Sequence, residues 1–340
     1  MNGPAGERVT VTTAQHGERL DRIVMAVCGL SLRAARRRIE GGIRVDGRPA
    51  AAAQRLRAGQ ILEFPPAGPS DDGLTACVRL LGRQDDYVAF VKPAGLHSSP
   101  LAGQAAPNLE DTAQALWRKE GHSPPLHFLQ RLDQATSGIV CAALSPDAAQ
   151  RFRTDESRGR YAKAYLALLH GELSAPVTAD RALDVDGRSV SRVLDKAAPP
   201  LRQTRFFPLQ VLRDDEAKDV LAANGLPAPP AATVTLAACL IRCGARHQIR
   251  AHAASLGLPL CGDGRYAPQG DGPAAGPERF LLHHACLSGP AGRWLCPPPW
   301  ERLPFLENHF RKWLETLSRY DSIFLTEKDA AAPAPARGRG

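Results

Sequence analysis

The stretch Leu129-Gln130-Arg131-Leu132-Asp133-Gln134-Ala135-Thr136-Ser137-Gly138-Ile139-Val140 sets one carboxylate between a guanidinium and a buried strand. The run Asp-Gln-Ala-Thr-Ser-Gly is rich in turn formers. Its small residues Ala135, Ser137 and Gly138 let backbone or ligand come close. Ile139-Val140-Cys141-Ala142-Ala143-Leu144 follows without a polar break, which predicts a fully buried strand. A charged residue at the lip of such a strand needs a physical reason. Taken by itself, Asp133 reads as half of an ion pair with a neighbouring arginine, shaping a loop, since structural pairs of this kind are common.

N-terminal to this stretch, Val78 to Leu96 predicts strand, turn, strand and a Pro-Gly turn at Lys92-Pro93-Ala94-Gly95. Residues 98–108 read as loop, and Leu109 to Glu120 has helical spacing. On the C-terminal side a helix is expected from Pro146 to Arg153. Tyr161 to Gly171 alternates as a strand, and by that pattern alone Tyr165 is a core residue. Residues 172–205 are polar and read as hairpins. Residues 213–232 carry Asp214, Asp215, Glu216, Pro227, Pro229 and Pro230. They read as an insertion or loop between strands at 206–212 and 233–241. Gly244-Ala245-Arg246-His247-Gln248-Ile249-Arg250-Ala251-His252 comes next, and Leu282-His283-His284-Ala285-Cys286-Leu287 lies further on. The histidines His247, His252, His283 and His284 fit no standard ligand spacing and no thiol pair completes a site, so no metal is expected.

Before residue 75 the pattern is of another kind. Residues 1–16 read as a flexible leader with one short strand near Val9-Thr10-Val11-Thr12, and without the apolar core of a signal peptide. A helix is expected over Glu18 to Val27 and a second over Leu32 to Glu40, capped by Ser31 and ended by Gly41-Gly42. Strands follow at Ile43 to Arg48 and Gly59 to Phe64, and Pro65 to Gly73 is a linker. The second helix carries Arg33, Arg36, Arg37 and Arg38, with Leu32, Ala35 and Ile39 available for a core. Such a stripe is either a solvated face or a phosphate-binding one.

The 340 residues carry 43 Lys and Arg against 35 Asp and Glu, a net charge of +8 and a pI near 9.3, which suits a polyanionic partner. There is no run of about 18 apolar residues, so no membrane span is expected. The eight cysteines contain no Cys-x-x-Cys pair and most sit in apolar runs, which reads as reduced core residues of a cytoplasmic protein.

Arg131-Leu132-Asp133 and Thr136-Ser137-Gly138 resemble the signature of the RluA-type pseudouridine synthases, approximately His-Arg-Leu-Asp-x-x-Thr-Ser-Gly, with Gln130 where the His is usual. Four further stretches resemble that family in the expected order. They are Lys92-Pro93-Ala94-Gly95; Lys163, Tyr165, Ala167 and Gly171; His247-Gln248-Ile249-Arg250 with His252, where Ala245-Arg246 replaces a usual Arg-Thr; and Leu282-His283-His284-Ala285-Cys286-Leu287, similar to Leu-His-Ala-x-x-Leu. Residues 17–64 are similar to an S4 RNA-binding domain.

The resemblance implies an α+β fold. A catalytic domain at 75–318, with a mixed, largely antiparallel sheet, follows an S4-like domain at 17–64 and a linker at 65–74, and a disordered tail occupies 319–340. It implies an isomerase that converts uridine to pseudouridine in RNA, with Asp133 as catalytic carboxylate, Tyr165 stacking on the base and Arg250 as partner of Asp133. Arg131 would fill the space of the flipped base. Lys163, His247 and Gln248 join Arg131 and the arginines of the second helix as expected RNA contacts, with Lys92 in a supporting role. No cofactor is expected, and a monomer is. The expected substrate is large-subunit ribosomal RNA, with transfer RNA as the alternative. Two other classes compete: a non-catalytic RNA-binding or ribosome-assembly protein on the same scaffold, and a hydrolase with paired carboxylates, for which Asp263 is the candidate second acid.

Overall fold

The computed structural model describes residues 8–28, 32–40, 43–64, 72–101, 106–186, 190–229, 232–267, 279–303, 305–306, 309–310 and 313, without the side chains of Arg33, Ala34, Arg37, Glu40 and Asp72. The expected cap Ser31, the Gly41-Gly42 stop, most of the linker and the tail at 319–340 lie outside them. The chain divides into two compact units, Met1–Arg151 with Ala275–Arg279, and Phe152–Ala274 with Phe280–Gly340.

The first unit opens on a small α/β layer. Strand β1 (Arg8–Thr10) is followed by helices α1 (Leu20–Cys28) and α2 (Leu32–Glu40) and strands β2 (Arg44–Val45), β3 (Arg48–Pro49) and β4 (Ile61–Glu63). The sheet order is β1-β4-β2-β3, so β1 draws part of the expected leader into the sheet. Leu20, Ile23, Val24, Ala35, Ile39, Leu62 and Phe64 are buried together, which is what the helical spacing of α1 and α2 required. Asp21 is buried here as well. Arg19 grips it with two hydrogen bonds, at 3.0 and 2.8 Å, and Arg36 adds a third at 2.8 Å.

Helix α3 (Asp72–Ala76) leads into β5 (Arg79–Gln84) and β6 (Tyr87–Lys92), which pair antiparallel. Helix α4 (Leu109–Lys119) begins at Asn108, whose side chain accepts from Asp111 N at 3.0 Å. The short β7 (His127–Phe128) and β6 both pair antiparallel with β8 (Ser137–Ala143). Every residue of β8 is buried, as its unbroken apolar run predicts. Helix α5 (Pro146–Ser157) follows.

The second unit is built on β9 (Ala162–His170), β10 (Val177–Ala179), β13 (Thr204–Arg213), β14 (Thr233–Ile241), β15 (Leu282–Gly289) and β16 (Gly292–Leu295), with β11 (Arg181–Asp184) and β12 (Arg192–Ala197) as a separate hairpin. Its sheet runs β10-β13-β14-β9-β15-β16, with every neighbouring pair antiparallel. Residues 214–223, expected as loop, form helix α6 (Asp214–Ala223). Three acidic residues sit in its first turn, where the helix dipole favours them, and Ala217, Val220 and Leu221 keep helical spacing and are buried. They pack with Leu166, Leu168, Leu236 and Phe310 over one face of the sheet. Alternation along β9 therefore sends Tyr165 to the other face. Helix α7 (Gln248–Ser255) completes the unit. The class is α+β with largely antiparallel sheets, as expected. No helix among the described residues is long and apolar enough to cross a membrane. All eight cysteines are free, and all but Cys77 are buried.

Candidate active site

Asp133 is half-buried, on a turn just before β8, and Thr136 N–H closes that turn onto Asp133 O at 3.0 Å. Gly138, with φ +113°, takes the strand out of the turn in a conformation that a side chain disfavours. The backbone on both sides of Asp133 is clamped to the segment after β6. Ser98 Oγ donates to Leu132 O at 2.6 Å and accepts from Leu132 N at 2.9 Å. Gly95 N–H donates to Gln134 O at 2.8 Å, and Gln134 Nε2 donates to Gly95 O at 3.0 Å. Lys92 is fully buried, and its Nζ donates to Pro93 O at 2.8 Å, Leu96 O at 2.7 Å and Gln134 O at 2.9 Å. Burial pushes the Lys92 ammonium down to about 7, with the Asp133 charge acting the other way. Lys92 thus staples the Pro-Gly turn to the Asp133 turn. Arg131 is exposed. Gln130, the departure from the usual His, has a buried amide with neither atom hydrogen-bonded.

In the second unit, Tyr165 projects from the middle of β9 and stacks on His284 of β15, ring centroids 4.4 Å apart and planes 13° from parallel. Arg250 lies on α7 and is fully buried. Its Nε and Nη2 donate to Asp263 Oδ2 and Oδ1, both at 2.7 Å. Its guanidinium carbon is 4.2 Å from the Phe280 ring centroid and 5.1 Å from that of Tyr266. The Tyr266 hydroxyl meets His247 Nδ1 at 3.1 Å, donates to Ser191 O at 3.2 Å and accepts from Ser191 N at 2.8 Å. Burial raises its pKa. His247 stands before α7 in the left-handed region, at φ +55°. Asp263, weighed as a second acid for a hydrolase, is the bidentate partner of Arg250.

Two expected RNA contacts have partners inside the protein. Gln248 is buried; its Oε1 accepts from Ala245 N at 3.0 Å and its Nε2 donates to Arg202 O at 2.9 Å and Thr204 Oγ1 at 3.1 Å. Lys163 is buried and ion-paired with Glu156. The Gln248 amide thus bonds inside the protein through both of its heavy atoms, and the Lys163 ammonium gives one of its three donors to Glu156. Arg36 is held by Asp21 with half its side chain exposed, while Arg38 is tucked 3.9 Å from Asp111 and 6.0 Å from the Phe64 ring centroid. The side chains of Arg33 and Arg37 lie outside the described residues. His252 bonds Thr204 Oγ1 and Arg181 O, and His283 bonds Cys296 O. Among the described residues no group of three or more His, Cys, Asp or Glu converges as a metal site would. The sequence reading passed over the Lys92 staple, Ser98, Phe280 and His284. For His284 a signal was present: it stands where the Leu-His-Ala pattern has Ala.

A family model described as RNA pseudouridylate synthase matches residues 86–255, half of the chain. The chain is 27% identical over 308 residues to an uncharacterized RNA pseudouridine synthase of Chloroflexus aurantiacus, covering 85% of this chain and 89% of that protein. It is 31% identical over 219 residues to the dual-specificity RNA pseudouridine synthase RluA of Vibrio vulnificus, covering 62% and 78%. The fold is similar to human RNA pseudouridylate synthase domain containing 1, with a TM-score of 0.54 and 20% identity over 79% of this chain and all of that one. The motifs ordered along the sequence, the turn clamped around Asp133 and these likenesses agree: the chain belongs to the RNA pseudouridylate synthases of the RluA type, enzymes that isomerise uridine to pseudouridine in RNA.

Proposed function

We propose that this enzyme modifies uridines in structured RNA, with large-subunit ribosomal RNA as its target and Asp133 as its catalytic carboxylate. The observation that carries the proposal is the clamp. Lys92, Gly95 and Ser98 hold the backbone on both sides of Asp133, so the carboxylate is set in place before RNA arrives. The reaction breaks the bond from the ribose to N1 of uracil, turns the ring and bonds the ribose to carbon 5. The proton leaves carbon 5, and N1 gains one. Nothing is oxidised or reduced and no group is added, so the scheme calls for no cofactor.

In this reading Arg250 is the cation assigned to Asp133, and Asp263 with Phe280 holds that guanidinium in its plane. Tyr165 stacks on the uracil, a contact worth about 1–3 kcal/mol for any base. Exposed Arg131 takes the place of the extracted nucleotide, and His247 lies at the RNA. Extraction costs a few kcal/mol, least in loops and bulges. The small α/β layer at the N-terminus acts as an S4-like RNA-binding domain through α2, with Arg36 presented by Asp21. That added basic surface favours a large folded RNA over a transfer RNA.

Mapping pseudouridine by carbodiimide-blocked primer extension, with and without the gene, tests this. A ribosomal RNA site lost on deletion and restored by wild type, but not by Asp133→Asn, is the expected outcome. A lost site in transfer RNA alone overturns the target, and restoration by Asp133→Asn overturns the role of the carboxylate.

A further inference from the structure

We infer that His284 is a positioning residue: it backs the ring of Tyr165 and fixes the plane on which the target base stacks. The inference rests on the stacking role proposed above for Tyr165. The two rings lie 4.4 Å apart, centroid to centroid, and within 13° of parallel. The sheet enforces this arrangement. Tyr165 on β9 and His284 on β15 are direct register partners, so both side chains leave the sheet on the same face, with Cβ atoms about 4.5–5.5 Å apart. The ladder then slips. Ala285 has no partner in the register, and pairing resumes with Cys286 opposite Ala164. A bulge next to a residue bends the strand and re-aims its side chain. His284 is fully buried and Tyr165 is 8% exposed, so the imidazole is held by packing and in turn holds the phenol.

With His284 on one face of the Tyr165 ring, a base stacks on the opposite face, and base, phenol and imidazole form three layers. A ring already fixed in its plane loses less freedom when the base docks.

The test uses RNA labelled with tritium at carbon 5 of uridine, prepared from cells lacking the gene, because product formation releases that tritium. His284→Ala should lower kcat/KM about 3- to 10-fold, the range of one aromatic pair. His284→Phe, which keeps a ring and most of the volume, should stay within about 2-fold of wild type. In a Tyr165→Leu background His284→Ala should add little, since no ring is left to position. With ring-labelled tyrosine, the five tyrosines give separate NMR signals, and Tyr165→Phe identifies the one concerned. That signal should move in His284→Ala while the other four stay. An unmoved Tyr165 signal, a His284→Phe variant as impaired as His284→Ala, or an equal loss in the Tyr165→Leu background overturns the inference. Wild-type turnover by Tyr165→Leu removes the stacking role itself. An impaired Tyr165→Leu with a silent His284→Ala overturns only the part given to His284.

Discussion

Replacing Asp263 by alanine takes a bidentate partner from a guanidinium buried in the second unit. Arg250 and Asp263 are both fully buried and joined by two charge-assisted hydrogen bonds of 2.7 Å, with Phe280 packed on the guanidinium. Breaking such a pair from one side costs about 3–5 kcal/mol, because the remaining charge keeps its desolvation penalty and loses its bidentate partner. A unit of this size loses about 2–4 °C of Tm per kcal/mol, so Asp263→Ala should melt about 6–20 °C lower by calorimetry. Removing both charges should act differently. Arg250→Met with Asp263→Leu exchanges the pair for apolar side chains, a change that is often neutral or stabilising in a buried site, so the melting point should return most of the way. Turnover should not return, because the cation assigned to Asp133 is gone. Tritium release from labelled RNA and calorimetry on the same preparations separate the two effects. A double variant that melts like wild type and still forms pseudouridine refutes the role of Arg250. An Asp263→Ala variant melting within about 2 °C of wild type refutes the account of the pair itself.

Four further outcomes are expected. Burial lowers Lys92 to about 7, below the ordinary lysine value of about 10.4, so between those limits the unfolded chain holds a proton that the native one lacks. Stability should therefore rise with pH across that window, and urea midpoints for Lys92→Met should show a flatter rise; equal slopes would rule out Lys92 as its source. At Gly289 an added Cβ would run into the Tyr161 ring at Cδ1 and lie 2.9 Å from the backbone oxygen of Arg160. Gly289→Ala should thus cost about 1–3 kcal/mol in urea unfolding, and no loss would mean that the strand shifts freely there. Gln248→Ala should lower the melting point and leave the salt dependence of RNA binding unchanged. Arg131→Ala should keep the melting point and reduce turnover, and the reverse pattern would exchange the roles given to the two residues.

The sequence made the local elements legible where one pattern dominated. The unbroken run after Gly138 became β8, and the apolar spacing before Cys28 became α1. Helix α6 was missed because four acidic residues and three prolines dominate 213–232. The spacing of Ala217, Val220 and Leu221 was present, but a ten-residue helix shows it for barely three turns. In the candidate site, motif matching named residue types without saying which way they point. Lys163 and Tyr165 lie two apart on β9, yet Lys163 turns to Glu156 and Tyr165 to His284. Of the adjacent His283 and His284, strand alternation sends only one towards Tyr165. Which one is set by the β9–β15 register, a property of two distant segments together. The partners of Lys92 are backbone carbonyls, which leave no trace in residue identity.

The buried charges show where this fold holds geometry at a cost in stability. Asp21, Lys92, Arg250 and Asp263 are all fully or almost fully buried, and each ionised group loses hydration that only near-ideal partners restore. An apolar side chain would fill each position more cheaply. What each charge supplies is direction. Asp21 aims Arg19 and Arg36, Lys92 joins two turns through oxygens that no apolar group could bind, and Asp263 sets the plane of Arg250. The groups so directed are the turn of the proposed carboxylate, its proposed counter-charge and the basic helix expected to meet RNA. An RNA isomerase of this kind works through the side chains it can place. Rigid charges beneath those side chains shift the cost of placement from each encounter with RNA to the folding of the protein.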